Sequence, residues 1–527
     1  MFILTPTSAT LAAAACFITT VVIILFYRRR IHSRSNLPPP PPGPKPWPII
    51  GNLNLIGPLP HRSLHSLSSH YGPIMRLRFG SHHVLVGSSA DVAKSVLRTH
   101  DLAFAGRPQT AAGKYAAYDY SDILWSPYGP HWRQARRMCA AELFSVRRLD
   151  SYEYIRREEV RRFVGSLFVS SGDPVEVKDR LLDLSLNVIS RMVLGENHNA
   201  AAGGDEDLKE ILEEAMLLNG VLDIGDSIPW LAWLDLQGYR RRMKAVAGRI
   251  DGFLERVLDE HDLKRRGEGG GGGGGKKKKD MVDVLLELAD DPDLEVKMDR
   301  RRVKAFTLIY VYASCQDMIA GGTESSAVTV EWAISELLKH PKIFTKAAEE
   351  LDRVVGKDRW VEENDIPNLP YINAIVKETM RLHPVAPLLV PRMAREDVEL
   401  SGYHIAKGTR VFVNVWTIGR DPNIWDAPEE FWPERFIGKD IDVKGHDFEL
   451  LPFGAGRRMC PGYPLGIKVI QVSLANLLHG FKWELPSGMK REELNMDEIF
   501  GLSTPRKFPL VAVAHPRLPL HLYNNGV

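Results

Sequence analysis

Apolar residues recur along most of this chain at intervals of three and four, a spacing that places them on one face of an α-helix. This pattern predicts helices over residues 132–144, 179–193, 244–264, 281–289, 303–339 and 372–382. Alternating apolar runs, which predict strands, are short and few: 74–79, 83–86, 398–400 and 410–415. Since helices and strands do not alternate regularly, we expect a mainly α-helical fold with small β-sheets rather than a doubly wound sheet.

The amino-terminal segment 8–27 carries no charge and matches the ~20 apolar residues that cross a bilayer as a helix. A basic cluster follows it, whereas residues 1–7 carry no charged side chain. A cleaved signal peptide would have its basic residues before the apolar run, and basic flanks stay on the cytosolic side. We therefore expect a lumenal end at 1–7, a transmembrane anchor at 8–27, a basic and proline-rich hinge at 28–48, and one large domain at 49–527.

Composition and charge narrow the classes of function. The chain has 68 Lys and Arg against 66 Asp and Glu, so its net charge gives no reason to expect a nucleic acid partner. Its four cysteines form no C-x-x-C pair, which indicates neither a disulfide framework nor a zinc site. Residues 267–279 are rich in glycine and lysine and are predicted to form a mobile surface loop.

The decapeptide 453–462, Phe-Gly-Ala-Gly-Arg-Arg-Met-Cys-Pro-Gly, offers the clearest chemistry in the sequence. It lacks the third glycine and the βαβ setting of a dinucleotide-binding loop. Its glycines let backbone N–H groups approach the sulfur, and a helix predicted from Tyr463 favours Cys460 as a thiolate. We expect Cys139 and Cys315, on apolar helices, to be ordinary buried residues. A thiolate placed in this way predicts a metal or an electrophile as its partner.

This decapeptide resembles the haem-binding loop of the cytochrome P450 superfamily, F-x-x-G-x-R-x-C-x-G, at Phe453, Gly456, Arg458, Cys460 and Gly462. The resemblance implies a cytochrome P450 fold that binds haem b, with Cys460 as the ligand of the iron. It also implies that Arg458 pairs with a haem propionate. Phe453 and Gly462 would lie against the haem.

The resemblance extends to other residues around the haem. Trp132 and Arg136 are four residues apart, so on a helix they share a face. They match the family's W-x-x-x-R pair, which is directed at a haem propionate. Arg392 stands where relatives often supply another propionate contact.

A structural triad is also implied. Glu378 and Arg381 match the family's E-x-x-R helix, and Arg435 matches the arginine that completes its buried ion network. Because a partly dismantled buried ion network is costly, we expect these three residues to hold the core beside the haem.

Residues 320–326, Ala-Gly-Gly-Thr-Glu-Ser-Ser, lie in the middle of the longest predicted helix. Two adjacent glycines weaken a helix by up to ~1 kcal/mol each, so a packing or ligand reason is expected. The segment is similar to the family's oxygen-activation motif, (A/G)-G-x-(D/E)-T. The similarity implies that Gly322 leaves room for dioxygen, while Glu324 and Ser325 relay protons.

The sequence leaves open which residue supplies the hydroxyl group of the proton relay. Ser325 stands in place of the usual threonine and lacks the methyl group that restricts the rotamer. Thr323 or Ser326 could supply the hydroxyl instead.

Motif order agrees with the P450 superfamily from Pro38 to Pro519, and the chain looks like a plant microsomal A-type member on segments 104–108 and 329–333. The run 115–123 is similar to a branch that includes trimethyltridecatetraene synthases. The resemblance implies an NADPH- and O2-dependent monooxygenase, anchored in the endoplasmic reticulum membrane with its catalytic domain in the cytosol. Electrons would come from NADPH–cytochrome P450 reductase.

The expected substrate is a small lipophilic plant metabolite, first of all a terpenoid: geranyllinalool or nerolidol, cleaved oxidatively to homoterpenes. Neighbouring branches leave flavonoid 3′-hydroxylation and brassinosteroid hydroxylation open. Two other classes are a non-catalytic haem-binding protein and an oxygen-independent isomerase, but neither needs the Glu324 and Ser325 pair. Substrate contacts are expected from 110–123, 216–222, 385–389 and 502–504, and from Asp317 and Gly321.

Overall fold

The computed structural model describes residues 37–195, 206–268, 282–283 and 321–524. The expected anchor at 8–27 and the predicted helix 281–289 lie wholly or mostly outside these residues, as do Cys315 and Asp317. Within the described ranges, no helix is both long and apolar enough to span a membrane.

Helices make up most of the regular secondary structure in the described chain, as the three- and four-residue spacing predicts. In chain order they are α1 (Pro60–Tyr71), α2 (Ala90–Lys94), α3 (Ala111–Tyr115), α4 (Pro130–Met138), α5 (Val146–Ser151), α6 (Glu153–Val169), α7 (Val177–Leu194), α8 (Glu206–Gly220), α9 (Ile224–Ser227), α10 (Tyr239–Glu268), α11 (Gly321–Lys339), α12 (Pro341–Val354), α13 (Pro370–Leu382), α14 (Val415–Ile418), α15 (Tyr463–Gly480) and α16 (His521–Asn524).

Two predicted boundaries need correction. The predicted helix 132–144 divides, because α4 ends at Met138 and a wider π-helical turn over Cys139–Leu143 completes it. The predicted loop 267–279 begins two residues too early, since α10 continues through Gly267 to Glu268. A single glycine weakens a helix without ending it.

The strands are short and form three small sheets. They are β1 (Ile74–Phe79), β2 (His82–Gly87), β3 (Pro174–Glu176), β4 (Arg392–Met393), β5 (Val398–Leu400), β6 (Tyr403–Ile405), β7 (Arg410–Val413), β8 (Phe481–Glu484) and β9 (Val511–Pro516). The sheets run β1-β2-β7-β4, β3-β9-β8 and β5-β6. The predicted strand 410–415 stops at Val413, because the Asn414 side chain accepts a hydrogen bond from the Thr417 backbone and caps α14.

The main hydrophobic core lies among the helices and centres on α11. This helix packs along α7 and α15 and also contacts α13, and Val328, Val330 and Ala333 on it are buried. A helix that is apolar on several faces belongs in the interior. The central position of α11 brings one of its faces to the site described below.

The proline-rich hinge lies on the domain in its described part. The Arg76 N–H donates to the Pro42 carbonyl at 2.7 Å, and the His404 N–H donates to the Pro39 carbonyl at 3.0 Å. A Cβ atom on Gly43 would lie 1.9 Å from the Arg76 carbonyl oxygen. Proline has no N–H to donate, so the segment accepts hydrogen bonds from the sheets without extending them.

Three successive residues between α3 and α4 have left-handed backbones: Tyr118, Asp119 and Tyr120 have φ values of 46°, 56° and 60°. Such conformations cost about 1–2 kcal/mol each for residues with a Cβ. The Tyr118 hydroxyl donates to Asp251 on α10 at 2.8 Å, and the Tyr120 hydroxyl donates to the Thr110 carbonyl at 3.0 Å. Tertiary contacts therefore hold a turn that the local sequence does not favour.

The end of α8 gives a test of the packing. A Cβ on Gly220 would lie 1.8 Å from the Leu502 nitrogen, whereas nothing lies within 4 Å of one on Gly248 in α10. We expect Gly220→Ala to lower the free energy of unfolding by about 1–3 kcal/mol through overpacking. Gly248→Ala should raise it by up to ~1 kcal/mol, since alanine favours a helix. Urea unfolding of both variants checks this, and equal effects would contradict the close backbone approach.

Candidate active site

Cys460 lies in a loop whose shape depends on glycines. Gly454 and Gly456 have φ values of +68° and +70°, and a Cβ on Gly456 would lie 2.1 Å from the Leu97 carbonyl oxygen. The Cys460 N–H donates to the Phe453 carbonyl at 3.0 Å, which closes the loop. Because α15 begins three residues later, its amino end lies close in sequence to the sulfur, and such an end favours negative charge.

Cys460 lines an apolar cavity of about 280 Å³, called the Cys460 cavity below. A smaller space of about 80 Å³, the outer cavity, lies next to it. The two share Asn219, Ala386, Leu389 and Leu502 in their walls. The wall that these four residues form between the two cavities is called the neck below.

Four arginines line the Cys460 cavity: Arg107, Arg136, Arg392 and Arg458. Arg458 donates to the carbonyls of Ile123 at 3.3 Å and Ser126 at 2.6 Å, and its guanidinium lies 4.4 Å from the Trp132 ring centroid. Trp132 also lines the cavity. Its indole N–H donates to the Ile123 carbonyl at 3.1 Å.

Burial opposes the positive charge of these arginines. It lowers the pKa of Arg136 and Arg392, and it lowers that of Arg458 to about 9, with neighbouring Arg392 adding to the effect. Arg392 has a carboxylate partner, Asp101, at 2.8 Å. No hydrogen-bond acceptor for Arg136 occurs among the described residues. The cavity wall is therefore short of negative charge.

The lack of negative charge in the cavity wall fits a ligand with two negative charges. Asp101 and Asp122 are the carboxylates near the four arginines, and burial raises the pKa of Asp122 to about 7. Two carboxylates cannot pair with four guanidinium groups, and the two propionates of haem b would supply the missing partners. Together with a cysteine at the cavity wall, this donor set fits haem.

One face of α11 lines the Cys460 cavity. Gly322, Ser325, Ser326 and Thr329 line it, a spacing of three, four and seven that shares one helix face. A Cβ on Gly322 would lie 2.9 Å from the Ile189 Cδ1 atom, so the glycine also serves close packing against α7. Ser325 and Ser326 reach the cavity.

Thr323 and Glu324 are buried but do not line the Cys460 cavity. The Thr323 hydroxyl has no hydrogen-bond partner among the described residues. Of the three candidate alcohols, the two serines are therefore the ones placed at the cavity wall.

Each segment expected to contact substrate reaches the Cys460 cavity: Ile123 from 110–123, Met216 and Asn219 from 216–222, Val385, Ala386 and Leu389 from 385–389, and Leu502 from 502–504. Phe453 and Gly462 line it as well. Sequence reasoning did not single out Arg107, Asp122 or Asn219. An arginine between a glycine and a proline in segment 104–108 was the one available signal for Arg107.

A family model described as Cytochrome P450 matches residues 41–511. The chain belongs to the cytochrome P450 family. It is a P450 monooxygenase, as the sequence predicts, and the family implies a haem–thiolate centre. It is similar to a zebra fish cytochrome P450 structure with Abiraterone, at 27% identity and a TM-score of 0.71 over 88% of this chain and 100% of that one. The predicted mainly helical P450 fold is thereby confirmed.

Plant P450s are the similar curated proteins. The chain is 51% identical to the Trimethyltridecatetraene synthase of Zea mays, over 93% of this chain and 91% of that protein. It is 48% identical to the Dimethylnonatriene synthase of Zea mays over 92% of each chain. It is 43% identical to the Flavonoid 3'-monooxygenase of Petunia hybrida over 91% of this chain and 93% of that protein. These relatives confirm the predicted branch.

Glu324 of this P450 is buried behind the serine face of α11. Its Oε2 atom has no hydrogen-bond partner among the described residues. Burial raises the pKa of Glu324 to about 7, opposed by the charge of Lys178, which bridges Glu213 at 2.9 Å. The carboxyl group can therefore hold or release a proton near neutral pH.

The residues of the E-x-x-R motif and Arg435 form a buried ion network. Arg381 makes two hydrogen bonds to Glu378, at 2.7 and 2.8 Å, and Arg435 makes one at 3.0 Å. Arg381 also donates to the carbonyls of Gly419 and Pro428. The network joins α13 to the irregular segment 419–435, which precedes the Cys460 loop.

Removing the carboxylate of this network should destabilise the P450 strongly. We expect Glu378→Gln to lower the free energy of unfolding by about 3–5 kcal/mol, because two buried arginines lose their counter-ion. Arg359→Ala, which breaks an exposed ion pair with Asp365, should lower it by ~1 kcal/mol or less. Urea unfolding followed by tryptophan fluorescence checks both, and similar losses would contradict the role of burial.

Burial of Glu324 also predicts a pH dependence of stability. Its folded pKa of about 7 exceeds the ordinary value of 4.5, so the folded state holds an extra proton between these pH values. The stabilisation is full below pH 4.5 and is lost as the pH rises to 7. In the wild type, ionisation of Glu324 should lower the free energy of unfolding by about 2–3 kcal/mol between pH 5 and pH 8. Glu324→Gln should lack this decrease.

Unfolding of the wild type and Glu324→Gln at four pH values between 5 and 8 measures this difference. Glu492→Gln, at an exposed position, is the control and should keep the wild-type slope. An unchanged slope in Glu324→Gln would mean that the buried acid is ionised throughout.

Proposed function

We propose that this P450 oxidises a small lipophilic plant terpenoid with NADPH and O2, using haem b held by Cys460. The observation that carries the proposal is the apolar cavity with a cysteine and an arginine-rich end in its wall. An apolar cavity of this kind suits a small hydrophobic ligand.

The cofactor would be held by residues from three parts of the chain. Cys460 would ligate the iron, and Phe453 and Gly462 would lie against the macrocycle. Arg136, Arg392 and Arg458 would bind the propionates through charge-assisted hydrogen bonds, and Trp132 would do so once its indole N–H leaves the Ile123 carbonyl. When bound, the haem supplies the activation of dioxygen.

Side chains of α11 would hold and transfer protons. Ser325 and Ser326 hold hydroxyl groups at the cavity wall, where an alcohol can pass a proton to a reacting group. Glu324 lies behind them with a pKa of about 7 and would resupply that proton. Gly322 would leave space at the wall between the hydroxyls and the cysteine.

The terpenoid assignment draws on the relatives. Two similar proteins are named Trimethyltridecatetraene synthase and Dimethylnonatriene synthase. We therefore propose oxidative cleavage of geranyllinalool or nerolidol to homoterpenes. Flavonoid 3′-hydroxylation is the second candidate, favoured by the Flavonoid 3'-monooxygenase relative and by the polar side chains of Arg107 and Asn219 in the cavity wall.

The setting proposed is the endoplasmic reticulum membrane, with segment 8–27 as anchor and the catalytic domain in the cytosol. NADPH–cytochrome P450 reductase would supply electrons. Exposed Arg133 and Arg137 lie on α4, the helix that also carries Trp132 and Arg136. A basic surface next to the cofactor suits an acidic partner.

Yeast microsomes that contain the full chain and a plant reductase test the proposal. Given NADPH, they should convert nerolidol or geranyllinalool to a shorter hydrocarbon, measured by gas chromatography with mass spectrometry. Cys460→Ala should give no product and should lose the thiolate signature of the reduced carbon monoxide complex. Hydroxylation of a flavanone without terpenoid turnover would replace the proposal by the second candidate.

A further inference from the structure

Asn219 places an amide group at the neck between the Cys460 cavity and the outer cavity. It lies on the last turn of α8 and lines both spaces. The other three neck residues, Ala386, Leu389 and Leu502, are apolar. A polar group at an apolar wall is unfavourable unless it finds hydrogen bonds, so its contacts and its remaining hydrogen-bonding capacity matter.

Two contacts fix the orientation of the amide. The Trp125 indole N–H donates to Asn219 Oδ1 at 2.9 Å, and Asn219 Nδ2 donates to the Ala215 carbonyl at 2.8 Å. An indole nitrogen can only donate and a carbonyl oxygen can only accept. Reversing the amide would lose both hydrogen bonds, so the oxygen and nitrogen positions are chemically determined.

Trp125 is itself held firmly. Its side chain is buried, and its backbone N–H donates to Asp122 Oδ1 at 2.7 Å. The carbonyls on either side of it accept from arginines: Leu124 from Arg107 at 2.8 Å and Ser126 from Arg458 at 2.6 Å. The arginine wall of the cavity thus fixes the indole that orients the Asn219 amide.

The amide keeps capacity for one more partner on each side. A side-chain amide has two N–H donors and an oxygen with two lone pairs. The contacts within the described chain use one N–H and one lone pair of Asn219. An alcohol can donate to one such group and accept from the other, whereas a hydrocarbon can do neither.

We propose that Asn219 is a specificity-determining residue that binds the hydroxyl group of a terpenoid alcohol at the neck. The hydrocarbon chain of that substrate would then extend into the apolar Cys460 cavity. This inference rests on the proposed function, because it takes the substrate to be a terpenoid that carries one hydroxyl group. To the proposed function it adds the identity of the protein group that recognises this hydroxyl.

Binding of an alcohol and its matched hydrocarbon tests the inference. Microsomes with the haem-loaded enzyme are titrated with nerolidol and with farnesene, which lacks the hydroxyl, and the haem difference spectrum gives each Kd. The wild type should bind nerolidol roughly 3- to 10-fold more tightly than farnesene, as expected for a net hydrogen bond. Asn219→Leu should bind both equally, with its Kd for farnesene within about twofold of wild type.

Two further variants separate recognition from folding. Trp125→Phe keeps an aromatic ring but removes the donor that fixes the amide, so it should weaken the preference for nerolidol without abolishing haem binding. Asn423→Leu, the same change at an exposed position outside both cavities, should keep the wild-type preference. The carbon monoxide spectrum gives the haem content of every variant.

The outcomes distinguish this inference from the proposed function. If the wild type binds nerolidol and farnesene equally, or if haem-loaded Asn219→Leu keeps the preference, the role of Asn219 is overturned while a terpenoid substrate stands. If neither terpenoid binds to the haem-loaded wild type, the terpenoid proposal and the Asn219 role both fail. A preference that disappears only in Asn219→Leu and weakens in Trp125→Phe supports the inference.

Discussion

Four guanidinium groups around one end of an apolar cavity, two buried and two half-buried, impose the main physical constraint on this structure. Each must find acceptors or counter-ions, because a charged group removed from water without partners is strongly disfavoured. Arg107 and Arg458 meet the requirement by donating to the backbone of segment 123–126. Arg392 does so through Asp101 and the Ala455 carbonyl. The cations therefore order loops from distant parts of the sequence around the same space.

This arrangement connects the Cys460 loop to the turn that carries Trp125. Asp101 also accepts from the Arg457 N–H in the Cys460 loop, while Arg458 in that loop holds the turn that carries Trp125. On the other side, α11 fixes the carboxyl-terminal loop, since the Trp332 indole donates to the Thr504 carbonyl and Glu331 accepts from the Leu510 N–H. Hydrogen bonds from several different side chains therefore connect these loops to the elements that line the cavity.

Motifs with several fixed positions were enough to predict the family, the fold class and the cavity position of Cys460, Arg136, Arg392 and Arg458. Local periodicity gave β1 and β5 with correct bounds. It could not give the end of α4 at Met138, because apolar spacing predicts a helical segment without distinguishing an α-helical from a π-helical turn. Nor could it show that Ser325 faces the cavity while Thr323 does not, since that depends on how α11 is rotated in the core.

The resemblance marks segments 110–123 and 216–222 as substrate contacts, but it does not give the individual roles of Asp122 and Asn219 within them. Nothing near Asn219 in the sequence indicates that Trp125, about ninety positions earlier, fixes its amide. In the sequence, Asp122 looks like an ordinary turn residue. Only its burial in the structure, beside Arg107 and Arg458, raises its pKa to about 7. Both properties arise from tertiary contacts that local pattern does not encode.

The left-handed turn at Tyr118, Asp119 and Tyr120 has an evolutionary consequence. Glycine at any of the three positions would relieve backbone strain, but at Tyr118 or Tyr120 it would also delete a hydroxyl that ties this segment to Asp251 or Thr110. At the two tyrosine positions, selection for lower backbone strain and selection for the tertiary contact therefore favour opposite substitutions.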